Sequence, residues 1–158
     1  GGDITYHGPG QLVGYPLLRL APIGWQGDRL PQVDYVGYMR KLESVLIETL
    51  EAFDISGFRV EGKTGVWVKL EGDVGPKKIA SIGVKVDSRG ISRHGFALNV
   101  DPDMSYWEGI VPCGLDGVAM VSMKDLLRKD VNLKVVEKEI VDRFESVFER
   151  VMILKENC

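Results

Sequence analysis

Lys77-Lys78-Ile79-Ala80-Ser81-Ile82-Gly83-Val84-Lys85-Val86-Asp87 is the stretch on which the fold class turns. Its apolar residues are small or β-branched and recur with period two, so it reads as a strand. Lys78 shares parity with Ala80, Ile82, Val84 and Val86, the continuous apolar set; Lys77, Ile79, Ser81, Gly83, Lys85 and Asp87 fall on the other side. An ammonium on the apolar parity either snorkels to water from the strand's end or is held by a partner, and the spacing leaves both open.

Working outward, Gly65 to Leu70 and Ile91 to Val100 carry the same β-rich composition. The linkers Glu71-Gly72-Asp73-Val74-Gly75-Pro76 and Asp87-Ser88-Arg89-Gly90 predict a hairpin loop and a tight turn. Upstream, Val36, Met39, Leu42, Val45, Leu46, Leu50 and Phe53 predict an amphipathic helix over 34–53, with Arg40, Lys41, Glu43, Glu48 and Glu51 on its polar side. Downstream, Ser122-Met123-Lys124-Asp125 has the spacing of a capping box opening a short helix. Val136, Ile140, Phe144, Val147, Phe148 and Val151 predict a last helix over about 134–152. At the start, Ile4-Thr5-Tyr6-His7 reads as a strand, Gly8-Pro9-Gly10 as a turn and Tyr15 to Leu20 as a second strand. Residues 21–32 and 101–121 read as irregular. The class is α+β, a strand meander with flanking helices.

The chain has 158 residues, the size of one domain, with 44% hydrophobic and 27% charged residues, the balance of a globular protein. Twenty basic against 23 acidic residues leave a net charge of −3, which argues against a general nucleic-acid binder. No apolar run approaches the ~18 residues of a membrane span. Two cysteines, Cys113 and Cys158, make no disulfide framework, and a reducing, cytoplasmic setting is expected. An element at the first residue, with no Met before it, predicts that upstream sequence is missing, including any organellar transit peptide.

Gly57-Phe58-Arg59-Val60-Glu61-Gly62-Lys63-Thr64 matches the phosphate-loop pattern letter for letter. That motif needs a helix directly after it, whereas Gly65-Val66-Trp67-Val68 reads as strand, so the match is accidental. Gly8 to Gly14 is one residue too long for a dinucleotide fingerprint and opens no helix. His7, His94 and Cys113 lack zinc-ligand spacing; hydrogen bonds to turn backbone suit the two histidines better. Cys113, in Val111-Pro112-Cys113-Gly114, lies between backbone breakers in a loop, where structural and reactive roles are equally open. A reactive thiol needs a nearby cation, and Lys78 is a candidate. Residues 77–94 carry Lys77, Lys78, Lys85, Arg89 and Arg93 against Asp87 alone, which reads either as a solvated turn or as a dock for an acidic protein.

Gly1-Gly2-Asp3-Ile4-Thr5-Tyr6-His7-Gly8-Pro9-Gly10-Gln11 resembles the signature of the lipoyl(octanoyl) transferases. The resemblance continues through Thr64 to Val68, Lys78 to Gly83, His94 to Val100 and Ile110 to Gly114, in family order and up to about residue 115. Two departures stand out: the Arg and the segment that precede the first motif in the family are absent, and Glu71 to Lys77 lengthen one hairpin. The resemblance implies a fold like that of the biotin and lipoate protein ligases, a central mixed sheet with flanking helices. It also implies one catalytic domain over 1–158, truncated at its N-terminus.

The implied activity is transfer of an octanoyl group from octanoyl-acyl carrier protein to a lysine of a lipoyl domain. The acceptors implied are the E2 subunits of 2-oxoacid dehydrogenases and the glycine cleavage H protein; no nucleic acid or membrane is expected as partner. The resemblance makes Cys113 the acyl-accepting nucleophile and Lys78 its partner, lowering the thiol pKa and exchanging protons. Each pKa unit of such a shift is worth about 1.4 kcal/mol. Gly1, Gly2, Asp3, Ile4, Thr5, Tyr6, His7, Ser81, Ile82, Gly83, Gly95, Phe96 and Ala97 would line the substrate pocket, with Ile82 and Phe96 walling an acyl slot. Neither metal nor cofactor is implied. The alternatives are an ATP-dependent lipoate or biotin ligase, an amidotransferase acting between lipoyl domains, and a non-catalytic fragment that binds carrier proteins.

Overall fold

A computed structural model describes residues 5–26, 30–107 and 118–153 of the chain. Four strands, β1 (Gln11–Gly14), β2 (Val66–Val68), β3 (Lys77–Val86) and β4 (Ser92–Asn99), form one antiparallel sheet in the order β1-β4-β3-β2. A single parallel bridge joins Lys78 to Met120 beyond the end of the β3–β4 ladder. Among the described residues, three α-helices flank the sheet: α1 (Tyr35–Glu51), α2 (Met123–Leu127) and α3 (Leu133–Phe148). The expected α+β class, with a sheet and flanking helices, is what forms.

Helix α1 starts where Asp34 accepts a hydrogen bond from the Gly37 amide at 2.7 Å, satisfying a donor that the first turn leaves unpaired. Leu42, Val45, Leu46 and Leu50 lie on one stripe and are fully buried against Val66, Ile79, Ala80, Ile82, Phe96 and Leu98 of the sheet. Val136, Ile140 and Phe144 of α3, which packs on α1, complete the same core. The Ser122–Asp125 capping box forms as expected, and α2 follows it.

Several expectations about these elements are overturned. Thr5 to His7 is not strand, and the strand near the start is Gln11–Gly14 rather than Tyr15 to Leu20. There the Ser92 hydroxyl accepts from the Leu18 amide and donates to the Pro16 carbonyl, and the pairing is limited to an isolated antiparallel bridge between Arg19 and Ile91. Val36, counted with the apolar stripe of α1, is 68% exposed, whereas Glu43, counted with the polar side, is buried. Finally, α3 ends at Phe148, with Glu149 in the left-handed conformation, and leaves Val151 exposed.

Candidate functional site

The strands bring six of the expected pocket residues into three adjacent rungs. Ser81 pairs with Ala97, Ile82 with Phe96 and Gly83 with Gly95 across β3 and β4. Alternation then divides them. Ile82 and Phe96 belong to the helix-side core, so their side chains do not wall a slot on the other face, where Ser81 and Ala97 lie. Gly95 lies against β1: a Cβ there would stand 2.1 Å from the Gly14 carbonyl oxygen, so only glycine permits that approach. Above Gly83 there is open space for at least 4 Å.

Lys78 does not follow the parity read from its strand. Val66 pairs with Ala80, but Trp67 pairs with Lys78, which leaves Ile79 without a partner in β2. Val66, Val68, Ile79 and Ala80 join the helix-side core; Trp67 does not. As the cross-strand partner of Trp67, Lys78 therefore lies on the face of Ser81 and Ala97 rather than among the apolar set. It is 3% exposed, so it does not snorkel to water, and its Nζ stands 4.9 Å from the centroid of the Trp67 ring. Lys63 approaches the same ring, at 5.1 Å.

The backbone of Lys78 is fixed from its other side. Its amide donates to the Ala119 carbonyl at 2.9 Å and its carbonyl accepts from the Val121 amide at 3.1 Å. Val121 also ends a hydrogen-bonded series that begins in the first motif. His7 Nδ1 lies 3.2 Å from Gln11 Oε1, Gln11 Nε2 donates to Asn99 Oδ1 at 2.8 Å, and Asn99 Nδ2 donates to the Val121 carbonyl at 3.2 Å. Gln11 and Asn99 are missing from the expected site, although both stand inside the motif blocks that carry the resemblance.

Thr5, Tyr6 and His7 sit at the end of β1 and away from the three rungs. Tyr6 stacks on Tyr106 with centroids 5.1 Å apart and meets the edge of Trp107 at 5.7 Å. Tyr6 and His7 border an open cleft of about 740 Å³ together with Pro9, Asp101, Tyr106 and Leu133. Among the described residues, the Ser81 hydroxyl and the indole N–H groups of Trp67 and Trp107 are buried without a hydrogen-bond partner. Two of these three lie on the Lys78 face of the sheet. Gly1, Gly2, Asp3, Ile4, Cys113 and Cys158 lie outside the described residues.

The competing motifs resolve as follows. Gly57 to Thr64 forms a turn, with Lys63 N–H on the Val60 carbonyl, and strand β2 follows it where a phosphate loop would open a helix. His7 bonds a side chain rather than turn backbone, and His94 lies within β4 with a positive φ of 60°, its ring edge on Tyr15. No group of three metal-ligating side chains occurs among the described residues. In the basic stretch, Lys77 pairs with Asp73 at 2.7 Å, and Arg93 and Arg89 pair with Asp87 at 2.9 and 3.6 Å. No helix among the described residues is long and apolar enough to cross a membrane.

The family model described as the lipoyl protein ligase A/B catalytic domain matches residues 1–145. A protein of Cytophaga hutchinsonii named octanoyltransferase is 42% identical over 149 residues, covering 94% of this chain and 57% of the relative. One of Synechococcus elongatus with the same name is 47% identical over the same shares. The chain thus spans little more than half the length of these curated relatives. Among solved structures, the bipartite lipoate protein ligase of Thermoplasma acidophilum aligns with a TM-score of 0.65 at 16% identity, over 94% of this chain and 55% of that one. The biotin protein ligase of Aquifex aeolicus aligns with 0.60 at 17% identity, over 89% and 53%. At such identities the two structures speak for the fold, which is the one expected for this sheet and its flanking helices.

Proposed function

The chain belongs to the lipoyl protein ligase A/B catalytic domain family, and from that premise we propose that it moves an octanoyl group from acyl carrier protein to a lysine of a lipoyl domain through a thioester on Cys113. The 41–49% identical relatives that bear the name octanoyltransferase support this reading over ATP-dependent ligation. The observation that carries it is Lys78: a buried lysine displaced by a bulge from the oily face of its strand to the face of Ser81 and Ala97. Cys113 precedes by six positions the Ala119 carbonyl that receives the Lys78 amide.

In this reaction the Cys113 thiolate attacks the octanoyl thioester, the C–S bond to the carrier breaks, and the carrier's thiolate leaves with a proton from the Lys78 ammonium. The acceptor amine then attacks the Cys113 thioester; the C–S bond breaks, an amide forms, and the amine's proton passes to the now neutral Lys78. The Lys78 ammonium favours the attacking thiolate in the first step and is restored as the sulfur departs in the second. Lysine and thiol titrate as one coupled unit, because each charge stabilises the other. Ser81 Oγ and the backbone around Gly83 and Gly95 offer hydrogen-bonding groups at the substrate face. The donor would be octanoyl-acyl carrier protein, and the acceptors lipoyl domains of E2 subunits and the H protein.

The test is octanoyl transfer by the full-length protein to an isolated lipoyl domain, without ATP. Cys113→Ser and Lys78→Ala are each expected to abolish it, and Cys158→Ser to leave it intact. Transfer by the Cys113→Ser protein at the parent rate, or a requirement for ATP, would overturn the proposal.

A further inference from the structure

Glu43 lies in the middle of α1 and is 1% exposed, although its position in the helical period matches the polar side. A carboxylate in that setting is tolerated only when its oxygens are bonded. Its Oε2 accepts from Arg40 Nη1 at 2.7 Å and from Arg59 Nε at 2.9 Å; its Oε1 accepts from the Gly65 amide at 3.2 Å. Arg59 is held in turn, donating through Nη2 to the Arg40 carbonyl at 3.0 Å and to Ser44 Oγ at 2.7 Å. The rigid core helix thus grips the chain at Gly65, one residue before β2.

That residue stands beside Lys78. Gly65 has φ of +107°, and a Cβ placed on it would stand 2.5 Å from the Ala80 carbonyl oxygen and 3.4 Å from Lys78 Cε. Two residues on, the Trp67 ring lies under the Lys78 ammonium. The backbone against the lysine stem and the ring against its head therefore belong to one short segment, and Glu43 holds the start of that segment. A carboxylate serving packing alone would gain little here over an apolar side chain.

We infer that Glu43 is a positioning residue for Lys78: by anchoring Gly65 it fixes the wall and the ring between which the ammonium stands. The inference rests on the role proposed above for Lys78 and Cys113. It predicts that removing the carboxylate loosens the lysine and weakens its hold on the thiolate.

The experiment is the rate of Cys113 alkylation by iodoacetamide against pH, in the full-length protein carrying Cys158→Ser, with octanoyl-transfer kinetics beside it. Lys78→Ala is expected to move the alkylation midpoint up towards the ordinary thiol value of about 8.5. Glu43→Ala is expected to move it the same way and to lower kcat ~10-fold at unchanged KM. Glu43→Gln, which keeps an acceptor for Gly65 but not the charge, should give a smaller shift and covers the case in which the alanine variant does not fold. Arg40→Ala removes an ion pair from the same carboxylate without touching Gly65; it should lower Tm and leave the midpoint where it was. If the Glu43 variants lower Tm yet keep the parent midpoint and kcat, Glu43 only packs and the inference is wrong. If Lys78→Ala itself leaves the midpoint unmoved, the reading beneath it fails first and takes the inference with it.

Discussion

The Lys78 ammonium stands 4.9 Å from the centroid of the Trp67 indole because β2 and β3 slip by one residue between Val66 and Trp67. Without the slip, Trp67 would oppose Ile79, and Lys78 would point into the core of leucines and valines under α1. The bulge thus does two things at once. It keeps a charge out of the core, and it sets that charge on an aromatic face beside the residues expected to meet substrate.

Replacing the ring tests that relationship. A desolvated cation–π contact is worth about 2 kcal/mol, so Trp67→Leu is expected to slow octanoyl transfer ~10- to 30-fold. Trp67→Phe, which keeps a weaker π face, should lose less. Single-turnover rates from pre-formed octanoyl-carrier protein give the comparison, and a Trp67→Leu protein as fast as the parent would show that the ring is only filler.

Two glycines of the same region should behave oppositely. Gly65→Ala forces a Cβ to within 2.5 Å of the Ala80 carbonyl at a φ that L-residues resist, and should cost ~2 kcal/mol or more. Gly83→Ala meets nothing within 4 Å and should leave Tm unchanged. Its methyl enters the open space where the proposed pocket needs substrate, so transfer should fall while stability holds. Thermal melts paired with activity separate the two; a stable Gly65→Ala protein would contradict the packing described at Lys78.

Asp87 supplies a pH dependence of stability. Its carboxylate accepts from the Ile91 amide and from Arg93, and also from the Arg89 amide. These bonds, the Ile91 amide first, hold its pKa below the usual carboxylate value. A depressed carboxylate stabilises the fold above its unfolded pKa of about 3.9, and that contribution is lost as pH falls through the lower folded value. Melts from pH 7 down to 2 should show Asp87→Asn less stable at neutral pH, with the gap to the parent closing in acid. A gap that persists at low pH would place the effect elsewhere than in ionisation.

Much of the fold is legible in the residues because it rests on local patterns. The 3.6-residue period predicts α1, the Ser122–Asp125 spacing predicts the cap of α2, and β-rich composition predicts β2, β3 and β4. The misses have a common physical cause: they depend on distant partners. Glu43 looks solvent-facing until Arg59, sixteen residues on, folds back over it. Tyr15 to Leu20 has strand composition, yet it makes only an isolated bridge at Arg19, and the Ser92 hydroxyl bonds the Leu18 amide and the Pro16 carbonyl. The side of Lys78 depends on the pairing of two strands, which period alone does not specify. Within the candidate site, Ser81 to Gly83 and Gly95 to Ala97 were found through motif blocks and meet as cross-strand partners, whereas the linkage from His7 through Gln11 and Asn99 becomes visible only when strand register is known.

In the proposed reaction the acyl group rests on sulfur before it reaches the acceptor amine. Intact-mass spectrometry of the full-length protein after brief mixing with octanoyl-acyl carrier protein, in the absence of any lipoyl domain, tests it most directly. One octanoyl adduct is expected, mapped to Cys113, released by hydroxylamine and transferred when the lipoyl domain is added. No adduct in a protein that still octanoylates the lipoyl domain at the parent rate, or an adduct found only on another residue, would contradict it.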